Sequence, residues 1–205
     1  MIRNPDKAMF SIIKPSAHKI SSFIKSQINK PFTYDEVGIS RDGPLQANHP
    51  LSKHYKLINR QFNIGEGEKS FELAKKAFIK WGMFDLEWVN VKSSTPMIEN
   101  SLVGIVSHVM GVWSVNVCKI IYLVDEDGPI VRFGMGYGTL PGHAICGEER
   151  LSVAFCRETG SVSFEIFSFS TESQLIAKIS SFHLRNLQDR FAKDSAQRMR
   201  YFAHL

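Results

Sequence analysis

The sequence is poor in cysteine and lacks the patterns of a disulfide framework. Its 205 residues include three cysteines, Cys118, Cys146 and Cys156. This number is odd, the spacing is wide and no CxxC occurs, whereas small secreted scaffolds carry an even and denser set. We therefore expect free thiols in a reducing compartment, which predicts the cytoplasm.

Signals for export and for membrane insertion are also missing. The first 15 residues contain lysine and arginine but no apolar run of signal-peptide length, so export is not expected. Residues 102–124 are the most apolar stretch, yet they include His108, Asn116 and Lys119 and are rich in valine and isoleucine. Polar groups are costly in a bilayer and β-branched residues favour strands. We expect no transmembrane segment.

Motifs for cofactors, metals and nucleophilic catalysis are not found. The glycine-rich segment 133–139 is followed by a proline turn and not by the helix that a dinucleotide-binding GxGxxG requires, and no GxSxG occurs. His143 and Cys146 have a ligand-like spacing, but no second pair completes a tetrahedral set. We expect no metal and no cofactor.

The net charge of +5 is concentrated at the two ends of the chain. Residues 1–30 carry six basic and one acidic side chain, and residues 183–205 carry five basic and two acidic ones. These ends are either solvated helix faces or a contact with an anionic partner such as a membrane surface. Neither end has the dense basic clusters of a nucleic-acid footprint, so no nucleic-acid partner is expected.

Hydrophobic periodicity predicts an α+β fold in a single domain over residues 1–205. Apolar residues at helical spacing predict helices over 16–30 and 69–84 and a long helix within 174–205. Strands are predicted at 57–64, 86–92, 102–110, 112–124, 130–139, 148–156 and 161–169, with a further short strand within 32–40. Consecutive strands with short turns are antiparallel neighbours. This order predicts one strongly curved antiparallel sheet that grips the C-terminal helix, similar to the helix-grip folds of START and Bet v 1 type.

Strand phasing gives the glycine-rich strand two different faces. The glycines at 134, 136 and 138 share one face, which predicts close approach by another group or sharp bending of the sheet. Tyr137 and Thr139 share the other face with apolar side chains, where they are candidate ligand-binding groups.

The next strand places two adjacent carboxylates on opposite faces. Glu149 is in phase with Leu151, Val153 and Phe155, which should point to the core, and Glu148 faces the other way. Glu149 is then either a buried acid that must be paired or protonated, or a solvated group past the end of the sheet.

The remaining candidate site residues are one histidine and two tryptophans. His143 lies in a tight turn, where it is either structural or a candidate acid/base group. Trp81 and Trp88 bracket an apolar segment that is more typical of a core than of a nucleic-acid stacking platform. In a ligand-binding protein we expect both tryptophans to form the apolar wall of the cavity.

Several motifs resemble one known family. FGMGYGTLPGH at 133–143 and GEER at 147–150 match its most specific pattern, and TYDEVG at 33–38 resembles its TYxxVG. The chain resembles the family called domain of unknown function 1990, found in bacteria and plants, over about residues 10–200. Because that family is uncharacterised, the resemblance implies no activity.

Three functional hypotheses remain open at this stage. The first is binding of a small apolar molecule between the sheet and the C-terminal helix, with Tyr137, Thr139, His143 and Glu149 as its polar groups. The second is an enzyme of unknown class that uses His143 and Glu149 as acid/base groups. The third is an interaction module that meets a membrane surface or an acidic protein through its basic ends.

Overall fold

The computed structural model describes residues 8–46, 48–92, 94–172 and 181–205, with the backbone alone over residues 181–185. The strands in these residues are β1 (Met9–Ser11), β2 (Lys56–Glu66), β3 (Val89–Val91), β4 (Leu102–Val109), β5 (Val112–Glu126), β6 (Ile130–Thr139), β7 (Ile145–Cys156) and β8 (Ser161–Glu172). The helices are α1 (Ala17–Ser26), α2 (Gly67–Ile79) and α3 (Ser181–Ala203), with short 3-10 turns at Pro50–Lys53 and Gly82–Phe84.

The strands form one curled antiparallel sheet in the order β2-β8-β7-β6-β5-β4-β3, and β1 pairs with β5. Strands β4 to β8 follow one another along the chain, and β2 pairs with β8 at the edge. Register shifts in β2 and β5 interrupt the ladders, as bulges do where a sheet bends. The predicted fold class, a curved antiparallel sheet with a long C-terminal helix, is confirmed.

The apolar stretch 102–124 is the β4–β5 hairpin, as its β-branched residues predict. Among the helices that the structure describes, none combines the length and the apolar character needed to cross a membrane.

The main core lies on the concave face of the sheet, beneath α2 and the C-terminal half of α3. Helix α2 buries Phe71, Ala74 and Phe78, which are spaced three and four residues apart on one helix face. The buried residues among the described side chains of α3 are mostly small, and they are Ala192, Ser195, Ala196, Met199 and Ala203. Small side chains let α3 lie close to α2, so these two helices fill one end of the concave face.

Helix α2 ends earlier than the predicted 69–84. Trp81 adopts a left-handed backbone with φ 62°, which breaks the helix after Ile79, and a 3-10 turn follows. A Cβ atom at Gly82 would lie 2.9 Å from the carbonyl oxygen of Ala77, so this turn requires glycine.

On the convex face, two tyrosine side chains cover two of the three glycines of β6, Gly136 and Gly138. A Cβ atom on Gly136 would lie 2.2 Å from Cζ of Tyr122, and one on Gly138 would lie 2.1 Å from the hydroxyl of Tyr34. Both tyrosines are almost completely buried. The close approach predicted from the bare glycine face is confirmed.

Glu148 holds the segment that contains Tyr34 against the convex face. Its Oε2 accepts hydrogen bonds from the Tyr34 hydroxyl (2.8 Å) and the Gly38 amide (2.6 Å). Its Oε1 accepts from the Ser40 amide (3.0 Å) and from the Ser40 hydroxyl, which also pairs with Tyr122. We call Glu148 and these donors the convex clamp.

The convex clamp explains why residues 32–40 form turns and not the predicted short strand. The amides of Gly38 and Ser40 donate to a side chain and not to a neighbouring strand. The clamp also joins two sequence motifs, TYDEVG and GEER. The prediction that Glu148 faces away from the core is confirmed.

We expect Glu148→Gln to lower the free energy of unfolding by about 2–4 kcal/mol. The side-chain NH2 group of glutamine would face N–H and O–H groups that now donate hydrogen bonds to the carboxylate, so some of these donors would lose their acceptor. The matched control is Glu149→Gln, one residue along on the opposite face, which should not lower the free energy of unfolding at neutral pH, because glutamine removes the cost of ionising a carboxyl whose folded-state pKa is raised to about 7. Urea denaturation measures both variants. Equal losses of stability would contradict the clamp.

Candidate functional site

A cavity of about 870 Å³ lies between the concave face of the sheet and the N-terminal half of α3. Its wall is largely apolar and includes Ile58, Phe84, Trp88, Ile105, Ile166, Leu187 and Phe191. The helix pair α2 and α3 fills the other end of the concave face. The cavity therefore occupies the part of this face that the helix pair leaves uncovered.

The four polar residues predicted from the sequence, Tyr137, Thr139, His143 and Glu149, all line this cavity. They come from β6, the turn that follows it and β7, so the β6–β7 connection brings them together. Within the described part of the chain, no lysine or arginine lines the cavity.

Sequence reasoning missed a second set of polar lining residues, which are Ser107, Ser114, Asn116, Ser168, Ser170 and Gln188. The alternation of side chains along a strand could have identified two of these residues. Ser168 and Ser170 are in phase with the inward-facing Ile166 on β8, and a polar residue in an inward phase is the pattern to look for.

Tyr137 and Glu149 are direct cross-strand partners on β6 and β7, and the Tyr137 hydroxyl donates to Oε2 of Glu149. Glu149 is half-buried within β7 and lines the cavity, so it does not lie past the end of the sheet. Burial raises the pKa of Glu149 to about 7, against the lowering effect of the Tyr137 hydrogen bond. Burial and the charge of Glu149 raise the pKa of Tyr137 well above its ordinary value.

His143 presents one ring nitrogen to the backbone and leaves the other available. Its Nδ1 accepts a hydrogen bond from the Ile145 amide (3.1 Å), so the neutral ring carries its proton on Nε2. Burial lowers the pKa of His143 to about 4, which keeps the ring neutral at physiological pH. Among the described residues Nε2 has no hydrogen-bond partner, so it can donate to a molecule in the cavity.

Thr139 serves the structure more than the cavity. Its hydroxyl accepts from the Gly147 amide (3.0 Å) and lies 2.6 Å from the Thr33 hydroxyl. These bonds tie the end of β6 to β7 and to residue 33, and they use most of the capacity of one hydroxyl. Thr139 therefore shapes the wall more than it offers a free polar group.

The structure separates the two predicted tryptophans. Trp88 lines the cavity, and its Nε1 donates to Asp194 of α3 (2.8 Å) while the guanidinium of Arg190 lies over its ring. Trp81 is absent from the cavity wall, because its ring is buried in the core and its Nε1 donates to the Thr95 carbonyl (2.9 Å). The expected wall therefore contains Trp88 and not Trp81.

Tyr137, Glu149 and His143 supply polar groups to an apolar cavity near the β6–β7 connection, and we call these three residues the polar corner. At neutral pH, His143 is uncharged and Glu149 is close to half protonated. The Glu149 carboxyl can therefore donate or accept a hydrogen bond, and His143 can donate one. The corner can orient a hydroxyl or carbonyl group, and it can exchange a proton with a bound molecule near pH 7.

The curled sheet, the long C-terminal helix and the cavity between them define a helix-grip α+β protein. The chain belongs to the family described as Domain of unknown function (DUF1990), whose family model matches residues 33–198. A protein of Dictyostelium discoideum named UPF0548 protein is 31% identical over 204 residues, which cover 93% of this chain and 94% of that protein. An Arabidopsis thaliana protein of the same name is 31% identical and covers 83% and 87% of the two chains.

Similar solved structures are more distant. Ara h 8.0201 has a TM-score of 0.49 at 6% identity, with 73% of this chain and 97% of that chain covered. The Staphylococcus aureus protein SA2116, described as of unknown function, has a TM-score of 0.47 at 13% identity, with 74% and 96% covered. Similarity at this level carries no argument about what the cavity binds.

Glu149 and His143 should make opposite contributions to the pH dependence of stability. The folded-state pKa of Glu149 is raised from 4.5 to about 7, so the folded state holds the proton more tightly and stability falls as pH rises across that window. The pKa of His143 is lowered from 6.5 to about 4, so stability rises with pH between those values. In the wild-type chain the two contributions largely cancel.

Single variants should expose each contribution. Between pH 4.5 and 6.5, the free energy of unfolding of Glu149→Gln should rise with pH relative to that of the wild type, and that of His143→Gln should fall. Each difference should change by at most about 1.4 kcal/mol per pH unit. Urea denaturation across this window measures the slopes. The double variant is the control and should follow the wild type. Single variants with the wild-type slope would show that the two groups titrate normally.

Proposed function

We propose that this protein binds one small, largely apolar and uncharged molecule between the sheet and α3. The observation that carries the proposal is the cavity of about 870 Å³, whose surface is largely apolar. Small-molecule sites in proteins have volumes of about 300–1,000 Å³ and a wall of this kind.

The polar corner indicates where the polar end of the ligand lies. Tyr137, Glu149 and the Nε2 atom of His143 face the same cavity, and Ile166 and Phe191 are among its apolar walls. A hydroxyl or carbonyl oxygen there would accept a hydrogen bond from Nε2 of His143 or pair with the Glu149 carboxyl. The hydrocarbon body of the ligand would then contact the apolar walls, where each Å² removed from water contributes about 25 cal/mol.

Charge selects against anionic ligands. In the described chain the cavity has no lysine or arginine to pair with a carboxylate or phosphate, and Glu149 would repel one. An unpaired charge in an apolar site is strongly unfavourable. We therefore propose a neutral alcohol, ketone or similar molecule as the ligand class.

We also propose that the protein acts in the cytoplasm. All three cysteines are free, and Cys118 and Cys146 are buried in the fold. Free thiols are typical of a reducing compartment.

Native mass spectrometry of gently purified protein tests the proposal. We expect a discrete additional mass that is lost on denaturation, and we expect Ser107→Trp to abolish it, because this half-buried residue on β4 lines the cavity and an indole would fill it. The control is Leu123→Trp on β5, a 38% exposed position outside the cavity wall. A bare wild-type mass, together with no uptake of the neutral probe N-phenyl-1-naphthylamine, would overturn the proposal.

A second candidate is an enzyme in which Glu149 acts as the acid/base group. It is favoured by one observation, which is that Glu149 and His143 line the same cavity while Glu149 has a pKa of about 7. Acid/base groups work best with a pKa near the operating pH. The neutral His143 would then position the substrate by donating from Nε2.

The mass of the retained molecule separates the two candidates. A binding protein retains the same molecule in the wild type and in Glu149→Gln, which is the result we expect. An enzyme would accumulate unreacted substrate in the variant, since glutamine keeps the polar contact with Tyr137 but cannot transfer a proton. Different masses in the two proteins would favour the enzyme.

A further inference from the structure

The mouth of the cavity carries an unusual group of exposed apolar side chains. Ile12 and Ile13 follow β1 and are 82% and 75% exposed, and Phe10 in β1 is 47% exposed. In the β4–β5 turn, Met110 is 85% exposed and Val112 is 40% exposed. We call these five residues the mouth lip.

The mouth lip is one continuous feature at the cavity opening. Strand β1 pairs with the start of β5, so that Phe10 lies opposite Ser114 and Ser11 lies opposite Trp113. Phe10, Met110 and Val112 also line the cavity. Their exposed surfaces therefore continue into the apolar wall inside.

The surroundings of the mouth lip are basic. Residues 8–30 contain four lysines and no aspartate or glutamate, and residues 101–124 contain no acidic residue either. Lys14 lies directly after the exposed isoleucines, with its Nζ 5.2 Å from the centre of the Trp113 ring. Helix α1 follows, with Lys19 and Lys25.

Exposed apolar side chains within a basic stretch that lacks acidic residues are complementary to one kind of surface. Apolar groups enter the acyl boundary of a bilayer, and nearby lysines are attracted to anionic headgroups. A soluble acidic protein would match the lysines but would leave Ile12 and Met110 in water. Tryptophan is also enriched at the bilayer interface, where Trp113 would lie.

We propose that the mouth lip docks on membranes that contain anionic lipids, with the cavity opening toward the bilayer. The docking rests on the lip and its charge. The role of this docking rests on the proposed function: a largely apolar ligand could move between the bilayer and the cavity without crossing water.

Sedimentation with vesicles tests the docking. We expect wild-type protein to bind phosphatidylcholine vesicles that contain phosphatidylserine, to bind pure phosphatidylcholine vesicles weakly, and to lose affinity as salt rises. The double variant Ile12→Asp, Met110→Asp should bind at least about tenfold more weakly. Met110 has a left-handed backbone with φ 50°, which aspartate tolerates, so the fold should be retained.

The matched control is Ile98→Asp, because Ile98 is 58% exposed and precedes β4 at the end opposite the β4–β5 turn. It should bind vesicles as the wild type does. Failure of the wild type to sediment, or equal binding by the double variant, would overturn the docking. Self-association of the wild type that the double variant abolishes, without vesicle binding, would instead assign the lip to a second copy of the chain.

Uptake of N-phenyl-1-naphthylamine from solution, without vesicles, tests the cavity separately. A double variant that takes up the probe normally but no longer sediments supports the docking proposal. Vesicle binding without probe uptake would overturn the proposed ligand binding and leave the docking in place.

Discussion

The hydrogen bonds that Glu148 accepts from Tyr34, Gly38 and Ser40 fix which way β7 faces. Side chains alternate along a strand, so a carboxylate anchored on the convex face commits its neighbour Glu149 to the concave face. A shift of one residue would bury Glu148 among apolar groups and expose Leu151. The convex clamp thus determines which carboxyl group enters the cavity.

Two adjacent glutamates acquire different chemistry from this arrangement. Glu148 is nearly inaccessible, yet its oxygens are met by backbone and hydroxyl donors, which compensate for the loss of water. Glu149 has the single hydroxyl of Tyr137, and its pKa rises to about 7. One carboxylate therefore stabilises the fold, while the other provides a cavity with a polar group that is partly neutral at physiological pH.

Much of the fold was predictable from strand periodicity and turn residues. The glycines at 134, 136 and 138 predicted close packing on the convex face, and the phase of Leu151 placed Glu149 inside. Trp81 was misplaced because its left-handed backbone, which no local pattern indicates, turns its ring into the core. The turn at residues 32–40 was missed because its amides bond to a side chain more than 100 residues away.

Periodicity alone cannot predict the cavity, because an apolar strand face has the same sequence pattern whether a helix packs against it or not. The central claim is that Glu149 faces a low-dielectric cavity, and the carbon-13 chemical shift of its carboxyl group measures this most directly. With the signal assigned by its loss in Glu149→Gln, we expect a titration midpoint near pH 7. A midpoint near the ordinary value of 4.5 would show a carboxylate in water and would contradict the account.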